Sequence, residues 1–371
     1  MIKKMKKRPN FVLIITDQHR ADYLGCAGHP ILKTPHIDSI AKSGVQFNRF
    51  YVSNPVCMPN RATLMTGRTP SAHGVRQNGI PLPLSSNTFV EMLRNAGYQT
   101  GLIGKSHLQN FTSHPPINSN KEVRDGYVVP AAELREALKS TFMDGKYNQE
   151  RPDFWDNPDA SLELPFYGYE HVDLCFGHGD ECGGDYYWWL KSQRKDADEL
   201  IGAKNGLEHH YSVLQAWRTK VPEKLYPTAW IADHAHKYIR EYAKSKRNRP
   251  FYLVASFPDP HHPFTPPGKY WDMYKPEQMD VPEAYNVNDW EAPPHVKALL
   301  DRRDEGLAPE DGVMSYGINL REALEARALT CGMISMIDDG VGKILSALKS
   351  NGLEDNTIVM FTSDHGDHLG D

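Results

Sequence analysis

A cysteine beside a short helical pattern is the first group in this chain that could do covalent chemistry. In "NPVCMPNRATLMTGRTP", residues 54–70, Cys57 stands two residues before Pro59. Pro59 suits a first helical position, and Gly67 is the predicted stop. Cys57 then lies at the positive end of the helix dipole, where a thiolate or a developing anion is stabilised, and Arg61 points back to the same place. A buried structural cysteine is the alternative interpretation.

Four apolar runs elsewhere in the chain each end in polar side chains. Their composition predicts short strands that are buried on both faces. The runs and the groups that follow them are Asn10–Thr16 with Asp17 and Gln18, Tyr98–Gly104 with Lys105 and His107, Phe251–Phe257 with Asp259, His261 and His262, and Thr357–Ser363 with Asp364 and His365.

Helical patterns lie between these runs, at Pro35–Ser43, Thr88–Ala96, Thr228–Ser245 and Leu320–Ser350. The last is predicted as one long helix or two consecutive ones. Alternating strands and helices predict an α/β fold, a doubly wound and mostly parallel sheet flanked by helices. Ligands bind such sheets at the carboxyl ends of the strands, so the polar groups are expected to meet there.

The chemistry of these groups points to a metal and an anion. Asp17, Gln18, Asp364 and His365 offer oxygen and nitrogen ligands for a hard or borderline divalent cation. Cationic groups and hydrogen-bond donors for an anion come from a second set, Arg61, Lys105, His107 and His261. A tetrahedral oxyanion ester, sulfate or phosphate, fits such a site better than a neutral substrate does.

The motifs together resemble the formylglycine-dependent sulfatases of the alkaline-phosphatase-like superfamily. Cys57-Met58-Pro59-Asn60-Arg61 followed by Thr66-Gly67 resembles the signature in which the cysteine is oxidised to formylglycine. The companion motifs follow in order: "RPNFVLIITDQ", "GKSHL", "PHHP" and "DNTIVMFTSDHGD". The similarity covers nearly the whole chain and is weakest at about 110–226, which is expected to be an irregular insertion on the substrate side.

The resemblance implies hydrolysis of a small-molecule or saccharide sulfate ester. A maturase would convert Cys57 to formylglycine, whose hydrate would attack sulfur with one hydroxyl and expel sulfate with the other. Arg61 would hold the hydrate, His107 would contact it, and Lys105 and His261 would bind the sulfate oxygens. The implied ligands of one divalent metal, Ca²⁺ by family default with Mg²⁺ or Mn²⁺ as alternatives, are Asp17, Gln18, Cys57, Asp364 and His365.

Departures from the family pattern bear on the metal and on the substrate. Gln18 stands where many members have an Asp, which removes one ligand charge, and His365 adds a nitrogen donor; both loosen the preference for Ca²⁺. The segment "HGVRQNGIPLP", 73–83, resembles the phosphonate monoester hydrolase and phosphodiesterase branch, in which an Asn like Asn78 faces the substrate. That branch lacks the Lys105-x-His107 pattern, so sulfate is favoured over phosphonate.

Composition argues against several other classes of protein. With 371 residues and a net charge of -5, the chain has no electrostatic footprint for nucleic acid or acidic membranes. Five scattered cysteines do not form a disulfide framework. The basic start, "MIKKMKKRPN", lacks the apolar run of a signal peptide, which indicates a cytoplasmic protein unless an upstream start encodes a leader for the periplasm or for secretion.

The end of the sequence leads to a further expectation. Sulfatases normally continue past the Asp-His-Gly motif, through a lysine that contacts the sulfate, into a smaller C-terminal subdomain. Residues 1–371 are therefore expected to be an N-terminal catalytic domain, truncated after the last metal-binding motif and weakly active. An inactive fragment, or a binding protein, is the third hypothesis.

Overall fold

A computed structural model of the chain describes residues 8–112, 145–245, 249–285, 291–307 and 316–371. Residues 113–144 of the predicted insertion and the first seven residues lie outside this part. The strands are β1 (Asn10–Thr16), β2 (Gln99–Gly104), β3 (His171–Phe176), β4 (Gly183–Gly184), β5 (Phe251–Phe257) and β6 (Thr357–Ser363). The α-helices are α1 (Pro35–Ser43), α2 (Cys57–Thr66), α3 (Pro70–His73), α4 (Phe89–Asn95), α5 (Asp185–Gln193), α6 (Pro227–Lys244), α7 (Pro294–Asp304) and α8 (Leu320–Ser350).

The described strands form one sheet in the order β4-β3-β2-β5-β1-β6. Every neighbouring pair is parallel except β3 and β4, which run antiparallel. Parallel neighbours place their carboxyl ends at the same edge of the sheet. The predicted α/β fold with a mostly parallel sheet is confirmed.

Alternate residues of the central strands pack on opposite faces of the sheet. In β1, Val12 and Ile14 join the core under α1, α5, α6 and α8. Leu13 and Ile15 join the core under α2 and α4. Because side chains alternate along a strand, an unbroken apolar run is what a strand covered on both faces requires.

The edge of the sheet differs from the expectation for buried strands. β6 has β1 as its one neighbour in the described part of the chain. Ile358 is 48% exposed and Met360 is 37% exposed. The prediction that Thr357–Ser363 is buried on both faces is therefore wrong, because an apolar run does not reveal which strand will lie at an edge.

Several observed helices and strands begin or end differently from those predicted from the sequence, or were not predicted. α2 begins at Cys57, so Pro59 is its third residue and not its first, while Gly67 closes it in the left-handed region at φ 64°. α8 is a single helix, capped at its start by reciprocal bonds between Asn319 and Glu322. The strands β3 and β4, within the predicted insertion, are not among the strands predicted from the sequence. Among the described helices, none is both long and apolar enough to cross a bilayer.

Candidate active site

The carboxyl ends of all five parallel strands contribute a side chain to one region. Three of these residues come immediately after their strands: Asp17 after β1, Lys105 after β2 and Asp364 after β6. His261 follows β5 by four residues, and His178 follows β3 by two. The helix α2 adds Cys57 and Arg61.

Two cations pair with the two carboxylates of this cluster. Arg61 donates from Nε to Oδ2 of Asp364 at 2.8 Å and from Nη2 to Oδ2 of Asp17 at 3.4 Å. The Lys105 ammonium pairs with the same oxygen of Asp17. Burial opposes the ionisation of Asp17, but the charges of Lys105 and Arg61 outweigh it and hold the pKa of this carboxyl well below its ordinary value. Asp17 is therefore ionised at neutral pH.

The other oxygen of each carboxylate faces Cys57 and His365. Oδ1 of Asp17 lies 3.4 Å from Sγ of Cys57 and 3.8 Å from Nε2 of His365. Oδ1 of Asp364 lies 3.9 Å from the same nitrogen. Nδ1 of His365 donates to the Gly366 carbonyl at 2.8 Å, which leaves the Nε2 lone pair for a ligand. The ligand atoms of these four residues lie within 4.8 Å of one another, close enough to hold one divalent cation.

Cys57 occupies the first position of α2 and is buried. Its Sγ lies 3.1 Å from Nε2 of His365. Burial and the neighbouring Asp17 carboxylate raise the pKa of the thiol well above its ordinary value. The expectation that the helix start favours a thiolate is therefore wrong for the unmodified side chain, since desolvation and a like charge outweigh the dipole.

Asn78 borders this helix start. Its Oδ1 accepts from the backbone N–H of Met58 at 3.1 Å, one residue after Cys57. The carboxamide thus satisfies one of the helix's open N–H groups. Asn78 is itself exposed, next to the cluster, and its predicted contact with a substrate stays a prediction.

A chain of contacts links Lys105 to two histidines. Nζ of Lys105 lies 2.7 Å from Nε2 of His178. The rings of His178 and His261 stack at 3.6 Å between centroids and 6° between planes. Asp17, His178 and His261 also bring their ligand atoms within 4.8 Å of one another. The predicted anion-binding pair, Lys105 and His261, thus lies on one side of the carboxylate cluster.

Two predicted site residues, His107 and Gln18, make contacts other than those predicted for them. His107 is buried against Phe111, with 4.1 Å between ring centroids, and in the described part of the chain its Nδ1 has no hydrogen-bond partner. Burial and the Lys105 charge lower the pKa of His107 well below its ordinary value. The side chain of Gln18 contacts Asp367 and, at 3.3 Å, His262, while its backbone N–H donates to Asp364. Ligation of a metal by Gln18 stays a prediction.

Comparison with known proteins agrees with this arrangement of motifs. The Sulfatase family model matches residues 9–371. The chain belongs to the sulfatase family. The resemblance predicted from the ordered motifs is thereby confirmed.

Relatives of this sulfatase-family chain include both sulfate and phosphonate enzymes. An arylsulfatase of Clostridium perfringens is 31% identical over 98% of this chain, and the multifunctional alkaline phosphatase superfamily protein PehA of Trinickia caryophylli is 28% identical over 98%. The phosphonate monoester hydrolase structure of Agrobacterium radiobacter superposes with a TM-score of 0.67 at 26% identity over 98% of this chain. The chain spans 64% of the length of each of these three proteins.

Sequence reasoning missed three side chains near the centre of this sulfatase fold. His178 follows the unpredicted strand β3, so the signal used for the other strands, a polar group after an apolar run, was available in "VDLCFGH". Asp367 lies within a quoted motif and contacts Gln18. Glu150 is buried and accepts from the backbone N–H groups of Leu108 and Gln109 at 3.4 and 3.3 Å. No local pattern marks it, because its partners are distant in sequence.

Proposed function

We propose that this chain carries the catalytic centre of a hydrolase for a sulfate ester, with formylglycine derived from Cys57 as nucleophile. One observation carries the proposal. Two cations neutralise one oxygen of each carboxylate, and the other two oxygens converge with His365 on Cys57. A divalent cation added to this balanced set would give an excess of positive charge, which suits an anionic ester.

The donor set fits a divalent metal. Asp17, Asp364 and His365 would hold it, with Gln18 and the modified Cys57 as further predicted ligands. Carboxylate oxygens and an imidazole nitrogen admit Ca²⁺, the family default, as well as Mg²⁺ or Mn²⁺. When bound, the metal supplies positive charge that polarises the sulfate oxygens.

The chain's own residues would orient the reacting groups. Arg61, held by Asp364, Asp17 and two further acceptors, fixes the helix start on which the nucleophile stands. Lys105 and His261 would donate to the sulfate oxygens. The leaving alcohol needs a proton, which His107 or His261 would supply from its protonated form, since an anionic ester bound beside these rings would favour the imidazolium. Phe111 and the surrounding buried groups would limit access of water to these donors.

The raised pKa of the Cys57 thiol supports the proposal that this side chain is converted to formylglycine. A thiol whose pKa is raised by burial and by Asp17 is a poor nucleophile at neutral pH, so the unmodified side chain has little to offer the reaction. An aldehyde hydrate at the same position would offer hydroxyls for the reaction, beside the side chains of Asp17 and His365 that contact Cys57. The proposal therefore includes a formylglycine-generating maturase as a partner.

A phosphonate monoester or phosphodiester hydrolase is the second candidate. The segment around Asn78 supports it, as does the similarity to a phosphonate monoester hydrolase structure. Parallel assays with an aryl sulfate and an aryl phosphonate ester decide between the two. A higher kcat/KM for the sulfate supports the first proposal, and a higher kcat/KM for the phosphonate ester contradicts it. Turnover of neither by protein containing formylglycine and metal would favour the inactive or binding hypothesis.

The covalent role is tested on protein produced together with an active maturase. Mass spectrometry of the tryptic Cys57 peptide should show the aldehyde in place of the thiol. Cys57→Ala should retain less than about one part in a thousand of the activity. Cys26→Ala, at a half-buried cysteine elsewhere in the chain, is the matched control. Unconverted thiol or substantial activity of Cys57→Ala would refute the role.

The metal assignment has a separate test. Asp364→Ala should lower the bound divalent metal, measured by elemental analysis, and should lessen the stabilisation that added Ca²⁺ gives in thermal unfolding. Asp355→Ala, at an exposed carboxylate, should change neither quantity. An unchanged metal content in Asp364→Ala would refute the site.

A further inference from the structure

His178 stands at the centre of the anion-binding side of the cluster, although no motif of the sequence includes it. Its Nε2 lies 2.7 Å from Nζ of Lys105 and 4.0 Å from Oδ2 of Asp17. One ring face stacks on His261 at 3.6 Å, and Phe111 meets the ring edge-on at 5.5 Å. The ring is thus fixed by contacts on several sides.

The contact with Lys105 assigns the proton of the His178 ring. An ammonium group has three N–H donors and no acceptor. Nε2 of His178 must therefore accept, so the ring is neutral and carries its proton on Nδ1. In the described part of the chain, Asp17 and His178 accept two of the three N–H groups of Lys105, which leaves the third for an anion.

A neutral acceptor beside Lys105 can hold its ammonium group in a fixed position. Lysine has a flexible four-carbon stem, and a buried ammonium beside a carboxylate is drawn onto that carboxylate. His178 holds Nζ from the other side without adding negative charge. The ammonium thus has a fixed position, which is the condition for preorganised stabilisation of an anion.

We propose that His178 is a positioning residue, which holds the Lys105 ammonium between itself and Asp17 so that the cation faces the sulfate group of the ester. The inference rests on the proposed function for the identity of the anion. The contacts that define the position of Lys105 do not depend on that identity.

Two variants separate hydrogen bonding from packing. His178→Phe keeps an aromatic ring for stacking on His261 but removes the acceptor. His178→Gln removes the ring and restores a neutral oxygen acceptor at similar reach. His171→Phe is the matched control, because His171 begins the same strand, β3, at the opposite edge of the sheet and is half-exposed.

The expected results are those for loss of the hydrogen bond from the Lys105 ammonium to His178. His178→Phe should lower kcat/KM for an aryl sulfate about ten- to a hundredfold and weaken inhibition by inorganic sulfate to a similar extent. His178→Gln should recover most of both quantities, and His171→Phe should change neither. Full activity of His178→Phe would overturn the proposal, as would equal losses in the Phe and Gln variants at unchanged thermal stability.

A binding measurement distinguishes failure of this inference from failure of the proposed function. Calorimetric titration with inorganic sulfate uses the unmodified chain in the presence of Ca²⁺ and needs no turnover. Weaker binding by both Lys105→Met and His178→Phe, with recovery in His178→Gln, would support the positioning role even if neither ester is hydrolysed. Wild-type protein that binds no sulfate, or binding that is unchanged in His178→Phe, would overturn it.

Discussion

Arg61 links more of the candidate site than any other side chain described above. Its guanidinium donates to Asp364 and Asp17, to the Lys105 carbonyl at 3.0 Å and to the Ser256 hydroxyl at 3.0 Å. A planar fork of five donors can reach such divergent acceptors, whereas an ammonium cannot do so with fixed geometry. Arg61 thus ties α2 to the ends of β1, β2, β5 and β6.

Removal of this guanidinium should cost stability. Arg61→Met leaves two buried carboxylates with fewer compensating charges, so the free energy of unfolding should fall by about 3 kcal/mol. Urea unfolding followed by tryptophan fluorescence, without added divalent cation, measures this change. Arg68→Met, at an exposed arginine just after the same helix, should have little effect. Similar losses in the two variants would contradict the bridging role.

Glu150 is one of the buried carboxylic acids whose ionisation should make the free energy of unfolding depend on pH. Burial raises the pKa of its carboxyl from 4.5 to about 7, against the hydrogen bonds that it accepts from the backbone N–H groups of Gln109 and Leu108. Since the folded-state pKa lies above the unfolded one, the unfolded chain releases the proton first. The contribution of Glu150 to stability is therefore fully present below pH 4.5 and is lost as the pH rises to about 7.

The variant Glu150→Gln should remove this pH dependence. Between about pH 4.5 and pH 7, the difference in the free energy of unfolding between variant and wild type should shift by about 3 kcal/mol in favour of the variant. Chemical unfolding at several pH values measures the shift. Glu163→Gln, at an exposed carboxylate, is the control. A difference that stays constant across this pH range would show that Glu150 is ionised in the folded chain.

At the scale of elements, the end of β2 shows how closely the strands fix the site. Gly104 has φ of 106°, and a Cβ at this position would lie 1.9 Å from the carbonyl oxygen of Ser256 in β5. The same oxygen accepts the backbone N–H of Lys105 at 2.9 Å. The absence of a side chain at Gly104 therefore lets β2 approach β5 closely enough to place Lys105.

A pair of glycine variants isolates this close approach. Gly104→Ala should lower the free energy of unfolding by at least about 2 kcal/mol more than Gly28→Ala does. Gly28 has a similar φ of 90° but open space around the position of a Cβ, so both variants carry the same backbone strain. Thermal or urea unfolding of the two proteins provides the comparison. Equal destabilisation would show that strain, and not the contact with Ser256, limits the position.

The sequence predicts those parts of the fold that depend on local patterns. Apolar runs that end abruptly predict the bounds of β1, β5 and β6. They also predict that polar residues of the site come after these strands. β3 is missed because polar residues interrupt the first half of "HVDLCF", and because its residues pair with residues of β2 that lie 70 positions earlier in the sequence, as His171 does with Gly101. His178 is missed together with β3: a polar residue does follow "VDLCF", but its contacts with Lys105 and His261 join residues that are distant in sequence.

At the scale of the whole molecule, helices cover both faces of the central strands of the described sheet, whereas its last strand, β6, is partly exposed. The side of β6 away from β1 has no neighbouring strand among the described residues, and Ile358 and Met360, which share a sheet face with Phe11 and Leu13 of β1, are substantially exposed. A second exposed apolar stretch, Val45–Val52, connects α1 to α2; Phe47 and Tyr51 in it are 74% and 83% exposed. Both features favour association with other protein surfaces.

We expect the open edge at β6 to drive self-association of this chain. An edge strand presents unpaired N–H and C=O groups, and apolar side chains such as Ile358 strengthen pairing with a second edge. Ile358→Lys should therefore raise the monomer fraction, measured by size-exclusion chromatography with light scattering over a range of concentrations. Leu164→Lys removes a similarly exposed apolar side chain, 50% against 48%, outside any strand, and should change the monomer fraction less. If the two variants act equally, general surface hydrophobicity accounts for the association; if wild-type protein is monomeric throughout, the edge is not adhesive.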